Sequence, residues 1–519
     1  MVPTRAAERF SVGLSLLFIA MWAATSLVRV AYPHELEFMG GAMLDLVEGR
    51  MHGEPLYAAP SVERTSFVYA PGWFFLMAAV GRALPAWMSL RLAARAISFV
   101  ASGWTACVVY RLAVQAGASR ARAIQCVAVF ACGYVVTDFW YDLERVDALA
   151  MALATTGVLA ATHRRSRSIV LAAFALACAT LVKQQMLFVA IGTIAGMSCT
   201  RRARDAAALS ACFALLLVPA VAALDRSSGS WLRVYCVALP GAHGLAAYRV
   251  QYLLRDLLLG FMFSAGTIAA VVRGLDRSRP APTILGPLLG AFLAALLSRL
   301  HGGGWPNVLM PWFPFAAASL GTLPRAARVA RLTAAAVVVQ LVVCAGSLAR
   351  ALPTSEQATS ERRLASIVAE LELRGSVLVH GRGHVSRERH YHSVALQDWY
   401  RSGRTIWPDL ETAIATRRFA AIVLDSIEEL AMDPSGRLLV LVADHYRVAG
   451  RLAEPARLPS GFPAAPRWVL VRRDKPVEHD RESADRQLQD EAAAAEESPW
   501  SSAADVRAPK ADVDAPILR

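Results

Sequence analysis

His34-Glu35-Leu36-Glu37-Phe38-Met39-Gly40-Gly41 follows directly on an apolar run, Phe10 to Ala31. A run of roughly 20 apolar residues is long enough to cross a bilayer. This one is too long for the core of a cleavable leader and lacks a clear cleavage site, so it reads as a retained first helix. Glu35 and Glu37 therefore stand where a membrane helix meets water. Charge at such a boundary is solvated, paired or functional, because keeping it dry is costly. Glu37, helped by Glu35, is the candidate acid/base centre.

The whole composition agrees with a membrane setting. The chain has 519 residues, of which 55% are hydrophobic and 18% charged. Mean hydropathy is +0.39, too apolar for a soluble protein of this size. The formal net charge is +13, yet most arginines lie in short segments between apolar runs and there is no nucleic-acid motif. That placement is what the positive-inside rule produces. None of the 8 cysteines has a spacing that suggests disulfides or zinc.

The basic clusters orient the helices. Arg5 and Arg9 put the N-terminus on the cytoplasmic side, and Arg111/Arg120/Arg122, Arg164/Arg165/Arg167, Arg201/Arg202/Arg204, Arg273/Arg277/Arg279 and Arg325/Arg328/Arg331 follow in every second loop. The alternation requires that the apolar segment 67–84 does not cross. Pro71-Gly72 interrupts it, and too few apolar residues remain before Arg82 and Pro85 to span ~30 Å. It is expected to be re-entrant or interfacial. The expected spans are 10–31, 91–110, 121–137, 147–162, 168–182, 186–199, 206–224, 255–272, 282–299, 307–323 and 332–350, about eleven crossings, with twelve as the alternative if 67–84 crosses.

The expected fold class is thus a mostly α polytopic membrane protein of residues 1–350, with an external loop 32–90 and a small C-terminal extracytoplasmic α/β domain, 351–473. In the external loop, Met39, Ala42, Met43, Leu46 and Val47 recur at helical spacing, which reads as an amphipathic surface helix. In the C-terminal domain, Ser376–His380, Ala420–Leu424 and Arg467–Arg472 read as strands, with parallel pairing across intervening helices Glu361–Leu373 and Leu410–Arg418. Residues 474–519 are acidic and lack hydrophobic periodicity, and are expected to be disordered.

In this topology the notable ionisable residues gather on one membrane face. Glu35 and Glu37 follow the first span, Asp138, Asp142, Glu144, Arg145 and Asp147 the third, Lys183 the fifth and His301 the ninth. A carboxylate placed there can take a proton from a hydroxyl or amine. Arg145 and Lys183 can stabilise charge developing on a phosphate. Tyr57, Tyr69 and Trp73-Phe74-Phe75 can line a site. Each also has a plain reading: Glu35 solvated, Asp142 and Arg145 an ordinary helix pair, Lys183 snorkelling. Lys183 stands out because the only other lysines are Lys475 and Lys510. His380, His384, His390 and His392 match no metal-site spacing. Gly381-Arg382-Gly383 is at most a weak phosphate-loop hint, and Gly302-Gly303-Gly304-Trp305-Pro306-Asn307 reads most simply as a tight external turn.

Taken in order, several motifs resemble the GT-C fold glycosyltransferases, the class that includes protein O-mannosyltransferases and bacterial aminoarabinose transferase. They are the acidic site after the first helix, Gly53-Glu54-Pro55-Leu56-Tyr57, Tyr69-Ala70-Pro71, Arg91 to Arg95, Arg145-Val146-Asp147, Leu181-Val182-Lys183 and Asn307-Val308-Leu309-Met310-Pro311. The resemblance covers about the first 350 residues. It implies transfer of a sugar from a polyprenyl-phosphate donor to an acceptor of unknown kind, on the extracytoplasmic face of a multi-pass protein of the bacterial inner membrane, with inversion at the anomeric carbon. Glu37 matches the first-loop carboxylate, Asp142 or Asp147 the second-loop acid, and Lys183 the phosphate-contacting lysine; Asn307 and His301 join Tyr57, Tyr69 and Arg145 as substrate-binding candidates. Many relatives carry adjacent acids after the first helix, whereas Leu36 separates them here, so the choice between Glu35 and Glu37 stays open. No cofactor is required by this reading, and a divalent cation is compatible with it. The alternative is a transporter or flippase of a lipid-linked or polyanionic substrate, for which charged residues in broken helices of matching repeats are the expected sign.

Overall fold

The computed structural model describes residues 2–200, 202–275, 283–452, 457–462 and 465–496. Arg201, Arg277 and Arg279 of the basic clusters, the first residue of the expected span 282–299 and the tail beyond 496 lie outside them. The membrane part is built from α1 (Val2–Ala31), α2 (Gly40–Met51), α3 (Gly72–Ala83), α4 (Leu90–Gln115), α5 (Arg120–Val136), α6 (Val146–Thr162), α7 (Ser166–Val182), α8 (Leu187–Cys199), α9 (Ala203–Ser227), α10 (Arg249–Leu259), α11 (Phe261–Leu275), α12 (Leu285–Leu300), α13 (Phe313–Ser319) and α14 (Ala327–Leu348).

Among the described residues, four helical stretches are long and apolar enough to cross a membrane: Ala6–Ala31, Leu90–Gln115, Ala203–Ser227 and Ala327–Glu372, the last holding α14 and the helix that follows it. Other apolar helices, α6, α7 and α12 among them, run to at most 17 residues. The helix in the interrupted segment, α3, has 12 residues. That is about 18 Å at 1.5 Å per residue, short of the ~30 Å hydrocarbon core.

Two expected spans take another form. The stretch 255–272 is a bent pair, α10 and α11, turning through 85° between Leu259 and Phe261. The stretch 307–323 is a 3-10 turn, Pro306–Leu309, followed by the 7-residue α13. Pro311 and Pro314 withhold backbone donors there. Its apolar residues are apolar because they are core: Leu309, Met310, Phe313, Phe315 and Leu320 are all buried.

The helices run up and down. Ser89 and Ser119 each accept a hydrogen bond from a backbone N–H of the first turn, starting α4 and α5. α4 packs on α5 and α6, α6 on α7, and α1 on α5 and α14. In consequence the start of α4, the end of α5, the start of α6 and the end of α7 share one end of the bundle. Arg120, Arg122, Arg164, Arg165 and Arg167 lie at the other. Where α8 meets α12 the backbones touch: a Cβ on Gly192 would run into the carbonyl of Gly286, so small residues set this approach.

The C-terminal domain adds α15 (Ser355–Glu372), β1 (Val377–Val379), α16 (Ser393–Arg401), α17 (Pro408–Ala415), β2 (Ala421–Leu424), α18 (Arg437–His445), β3 (Tyr446–Arg451), β4 (Trp468–Arg472) and α19 (Arg481–Glu496). The sheet order is β1-β2-β4-β3. The expected parallel pairing holds for β1 and β2, Val377 opposite Ala421. β4 pairs antiparallel with both β2 and β3. The period-2 alternation divides the strands cleanly. Val377, Val379, Ala421, Val423 and Val469 pack with Leu364, Ile367, Val368 and Leu371 of α15. Leu378, Ile422, Leu424 and Leu470 face the other core with α17, α18 and α19. A capping box of Thr354 and Gln357 starts α15.

Disorder from 474 onward is overturned over residues 481–496. α19 buries Ala484, Leu488 and Ala492, a stripe at i, i+4 and i+8 inside an Ala/Glu-rich segment. Glu491 accepts a hydrogen bond from the Val448 backbone N–H at 2.8 Å and pairs with Arg473 at 2.7 Å. Leu488→Ala is expected to destabilise the C-terminal domain by ~3 kcal/mol. Limited proteolysis of the purified full chain should then cut residues 446–496 at a lower temperature than in the wild type.

Candidate active site

The site is assembled where the helix ends converge. Glu37 lies in the short link between α1 and α2. Its side chain is 1% exposed. One oxygen, Oε2, accepts from the Met39 N–H at 3.2 Å and pairs with Arg145 Nη1 at 3.3 Å. Arg145 immediately precedes α6. Its Nη2 donates to Tyr69 Oη at 2.5 Å, and its guanidinium sits 4.8 Å from the Trp140 ring centroid and 5.1 Å from that of Tyr69. Tyr57 Oη in turn donates to the Tyr69 carbonyl at 2.6 Å.

Asp147 sits in the first turn of α6, where a carboxylate complements the helix dipole. Its Oδ1 accepts from Lys183 Nζ at 2.5 Å and from Asn307 Nδ2 at 3.1 Å. Lys183 ends α7, and Asn307 belongs to the 3-10 turn after the triple glycine. Glu37, Arg145, Asp147, Lys183, Asn307 and Tyr69 thus meet from five separate stretches of chain. Several polar atoms in this group are buried with no partner among the described residues: Glu37 Oε1, Arg145 Nε and Asp147 Oδ2. Native interiors rarely leave such atoms unmatched, and a ligand or water is the usual remedy. Burial pushes the Glu37 carboxyl up to about 7, against the opposing pull of Arg145.

Glu35 takes a different position. Its Oε1 accepts from the Gly41 N–H at 2.8 Å, at the N-terminus of α2, and its Oε2 lies 3.6 Å from Arg382 Nε of the C-terminal domain. Burial raises it to about 8, with Arg382 pulling the other way.

Two sequence candidates are not brought to this group. Asp142 is engaged by Arg29 Nε at 3.0 Å and by Tyr134 Oη at 2.7 Å. All three side chains are buried, and Arg29 also donates to the Phe139 and Ala351 carbonyls at 3.0 and 2.6 Å. Asp142 is therefore a buttress between α1 and α5, and it makes no helix pair with Arg145. His301 Nε2 donates to the Pro240 carbonyl at 2.8 Å, and the ring lies 4.7 Å from that of His243, tilted by 35°. It belongs to the junction of the segment around Pro240 with the turn at 301–304.

Other residues, Glu144 of the same face among them, had no role assigned from the sequence. Glu144 is clamped by Arg95, through Nε at 2.5 Å and Nη2 at 2.9 Å, and by Arg91 at 2.7 Å. Burial opposes its ionisation, but Arg95 and Arg91 outweigh that and hold it down at about 2. Arg29 also went unnoticed; the available signal was an arginine inside an apolar run. Asp45, Glu48 and His384 form a group that could hold a metal ion. The imidazole bridges the two acids, Nδ1 to Asp45 at 2.8 Å and Nε2 to Glu48 at 3.2 Å. Burial lowers its pKa, but the two carboxylates prevail and raise it to about 10, which is the geometry of a doubly paired imidazolium. The four C-terminal histidines do not converge: His380 pairs with Glu429, His390 sits edge-on to Phe419, and His392 donates to the Phe38 carbonyl at 3.1 Å.

With this geometry in view, the class is clear: the chain has the GT-C fold. Among solved structures it is similar to ArnT from Cupriavidus metallidurans bound to undecaprenyl phosphate, with a TM-score of 0.54 and 13% identity over 88% of this chain and 98% of that one. The apo form of that protein matches at 0.52 and 12% identity, covering 90% and 98%. The Archaeoglobus fulgidus oligosaccharyltransferase tethered with an acceptor peptide matches at 0.50 and 11%, covering 91% and 77%. What is shared at such identities is the fold. No protein-family profile matches the chain, and no curated protein matches it in sequence.

Removing one partner of a buried ion pair typically costs ~3–5 kcal/mol. Asp142→Ala should therefore lower the thermal unfolding midpoint of the detergent-purified protein markedly, by leaving Arg29 buried and unpaired.

Proposed function

We propose that this protein is an integral-membrane glycosyltransferase. It moves a hexosyl or pentosyl group from a polyprenyl-phosphate-linked donor to an extracytoplasmic acceptor, a lipid, glycan or protein, by inverting displacement. The observation that carries the reading is the buried group of Glu37, Arg145, Asp147 and Lys183 at one end of the bundle. It offers what such a displacement needs: a carboxylate of raised pKa to take the acceptor proton, and cations to meet the charge that develops on the departing phosphate. The basic residues of the opposite bundle end support an extracytoplasmic site. The solved structures of the same fold include one bound to undecaprenyl phosphate and one tethered to an acceptor peptide, which supports the substrate classes.

In this mechanism Glu37 is the base. Its unpaired Oε1 faces the acceptor, while Oε2 stays on Arg145. Lys183, held by Asp147, and Arg145 contact the donor phosphate. Asn307 fixes Asp147 from the other side. Glu35 secures the α2 N-terminus and the C-terminal domain.

Glu37→Gln should reduce transfer by about 100–10,000-fold, the usual contribution of a positioned base. The assay is incorporation of label from a polyprenyl-phosphoryl sugar by purified protein. Unchanged transfer, or passage of substrate across liposomes without covalent change, would sink the proposal. The pH profile has a definite sign. The base must be ionised, so kcat/KM should rise through pH about 7, where Glu37 titrates, and fall by about tenfold per unit below it. Lys183→Gln should raise the KM for donor, and should also lower the melting temperature because it leaves the buried Asp147 without its cation.

A further inference from the structure

A segment of the C-terminal domain lies directly on Glu37. Residues 457–462 belong to the connection between β3 and β4. Ser460 donates its N–H to the Leu36 carbonyl at 3.0 Å, and its hydroxyl accepts from Arg29 Nη2 at 2.8 Å. Gly461 donates its N–H to Asp138 Oδ2 at 2.8 Å. Gly461 has a φ of 75°, and a Cβ there would lie 2.7 Å from Glu37 Cγ, so only glycine fits. These pins set the position of the next residue, Phe462.

Phe462 is 47% exposed, although its backbone neighbours are tied down. Its ring stands 5.7 Å from Phe38 at 54° and 6.1 Å from Trp305 at 76°. Phe38 is held in turn: its carbonyl accepts from His392 Nε2, and His392 Nδ1 accepts from the Val394 N–H at 3.2 Å. Phe38 and Trp305 are both partly buried, so none of the three residues is fully enclosed.

The positions of the three rings matter more than their mere proximity. Phe38 follows the carboxylate Glu37. Trp305 opens the turn that carries Asn307, which binds Asp147 and through it Lys183. By chain position the aromatic group thus joins the residue next to the base to the turn that carries Asn307. In a displacement on a lipid-linked sugar, the ring being transferred lies between the acceptor and the departing phosphate. A sugar ring presents an axial C–H face, which suits the electron-rich face of an aromatic side chain, and hydroxyls at its edge. Unmatched polar atoms lie on the same stretches of chain: Trp305 Nε1, Arg145 Nε and Asp147 Oδ2 are buried and lack partners among the described residues.

We propose that Phe38, Trp305 and Phe462 form a cradle for the sugar ring of the donor, and that Phe462, supplied by the C-terminal domain, is a sugar-binding residue. The proposal rests on the glycosyltransferase reading and adds to it a subsite and a domain contribution. The rival is a purely structural one, in which Phe462 only helps dock the two domains.

Binding to the full chain in nanodiscs separates them, with undecaprenyl phosphate and undecaprenyl-phosphoryl glucose as the two probes. The wild type should bind the glucosylated lipid about tenfold more tightly than the bare phosphate, as expected for good aromatic contacts. Phe462→Ala should abolish that preference while leaving bare-phosphate affinity and the melting temperature unchanged. Phe462→Trp should retain it. A wild type without preference, a Phe462→Ala variant that keeps it, or one that loses affinity for both probes alike overturns the cradle. The two readings fail separately. Transfer surviving in Glu37→Gln removes the base but leaves the sugar preference intact; preference surviving in Phe462→Ala, with Glu37→Gln inactive, removes the cradle alone.

Discussion

Arg95 is the residue on which the rest of the site depends. It donates to Glu144 through two nitrogens and to the carbonyls of Arg29, Tyr32 and His34. One buried guanidinium thereby ties the end of α1, the link that carries Glu37, and the loop before α6. Together with the buried Arg29–Asp142 pair beside it, that tie joins two loops distant in sequence, in which Glu37 and Arg145 stand 3.3 Å apart. A guanidinium is suited to the task because its planar fork serves several acceptors at once and stays charged when buried. Its desolvation cost is met by Glu144 and the carbonyls together, and Glu144 in turn is held ionised by Arg95 and Arg91.

The arrangement also explains what the site can do electrically. Glu37 with Arg145 and Asp147 with Lys183 give a nearly neutral group in dry surroundings. Interactions inside such a group are much stronger than in water. A phosphate arriving between Arg145 and Lys183 has fixed positive charge to meet and little solvent to reorganise, which is the condition for electrostatic stabilisation of a leaving group.

Much of this was legible in the sequence because hydropathy and charge are local properties. The run Phe10–Ala31, the interruption at Pro71-Gly72 and the Arg clusters announce a multi-pass chain with one functional face. Glu37, Arg145, Asp147, Lys183 and Asn307 were picked out for their place in that topology, and the structure brings them together. What topology does not reveal is pairing. Asp142 and Asp147 are five residues apart on the same face, yet the turn Trp140–Asp142 aims one at Arg29 while α6 carries the other to Lys183. Hydropathy likewise cannot tell lipid-facing from core: the buried residues around Phe313 read as a span. α19 escaped because its buried stripe is only three residues in sixteen, two of them alanine, though their helical spacing was there to be read.

The C-terminal domain changes the character of both acids. Arg382 reaches Glu35, Gly383 packs against Gly41 and Ala42, and Gly461 lies on Glu37. Each contact displaces water from a carboxylate that the sequence places at a membrane boundary. Burial is the largest influence on both groups and raises both. A carboxylate with a pKa of about 7 is a far stronger base than a solvated one and is still substantially ionised at neutral pH. The domain is remote in sequence from the link it covers, yet the basicity of Glu37 is partly its doing. The group around Glu37 is thus enclosed by two parts of the chain in contact, and the raised pKa of this acid depends on the C-terminal domain lying over it.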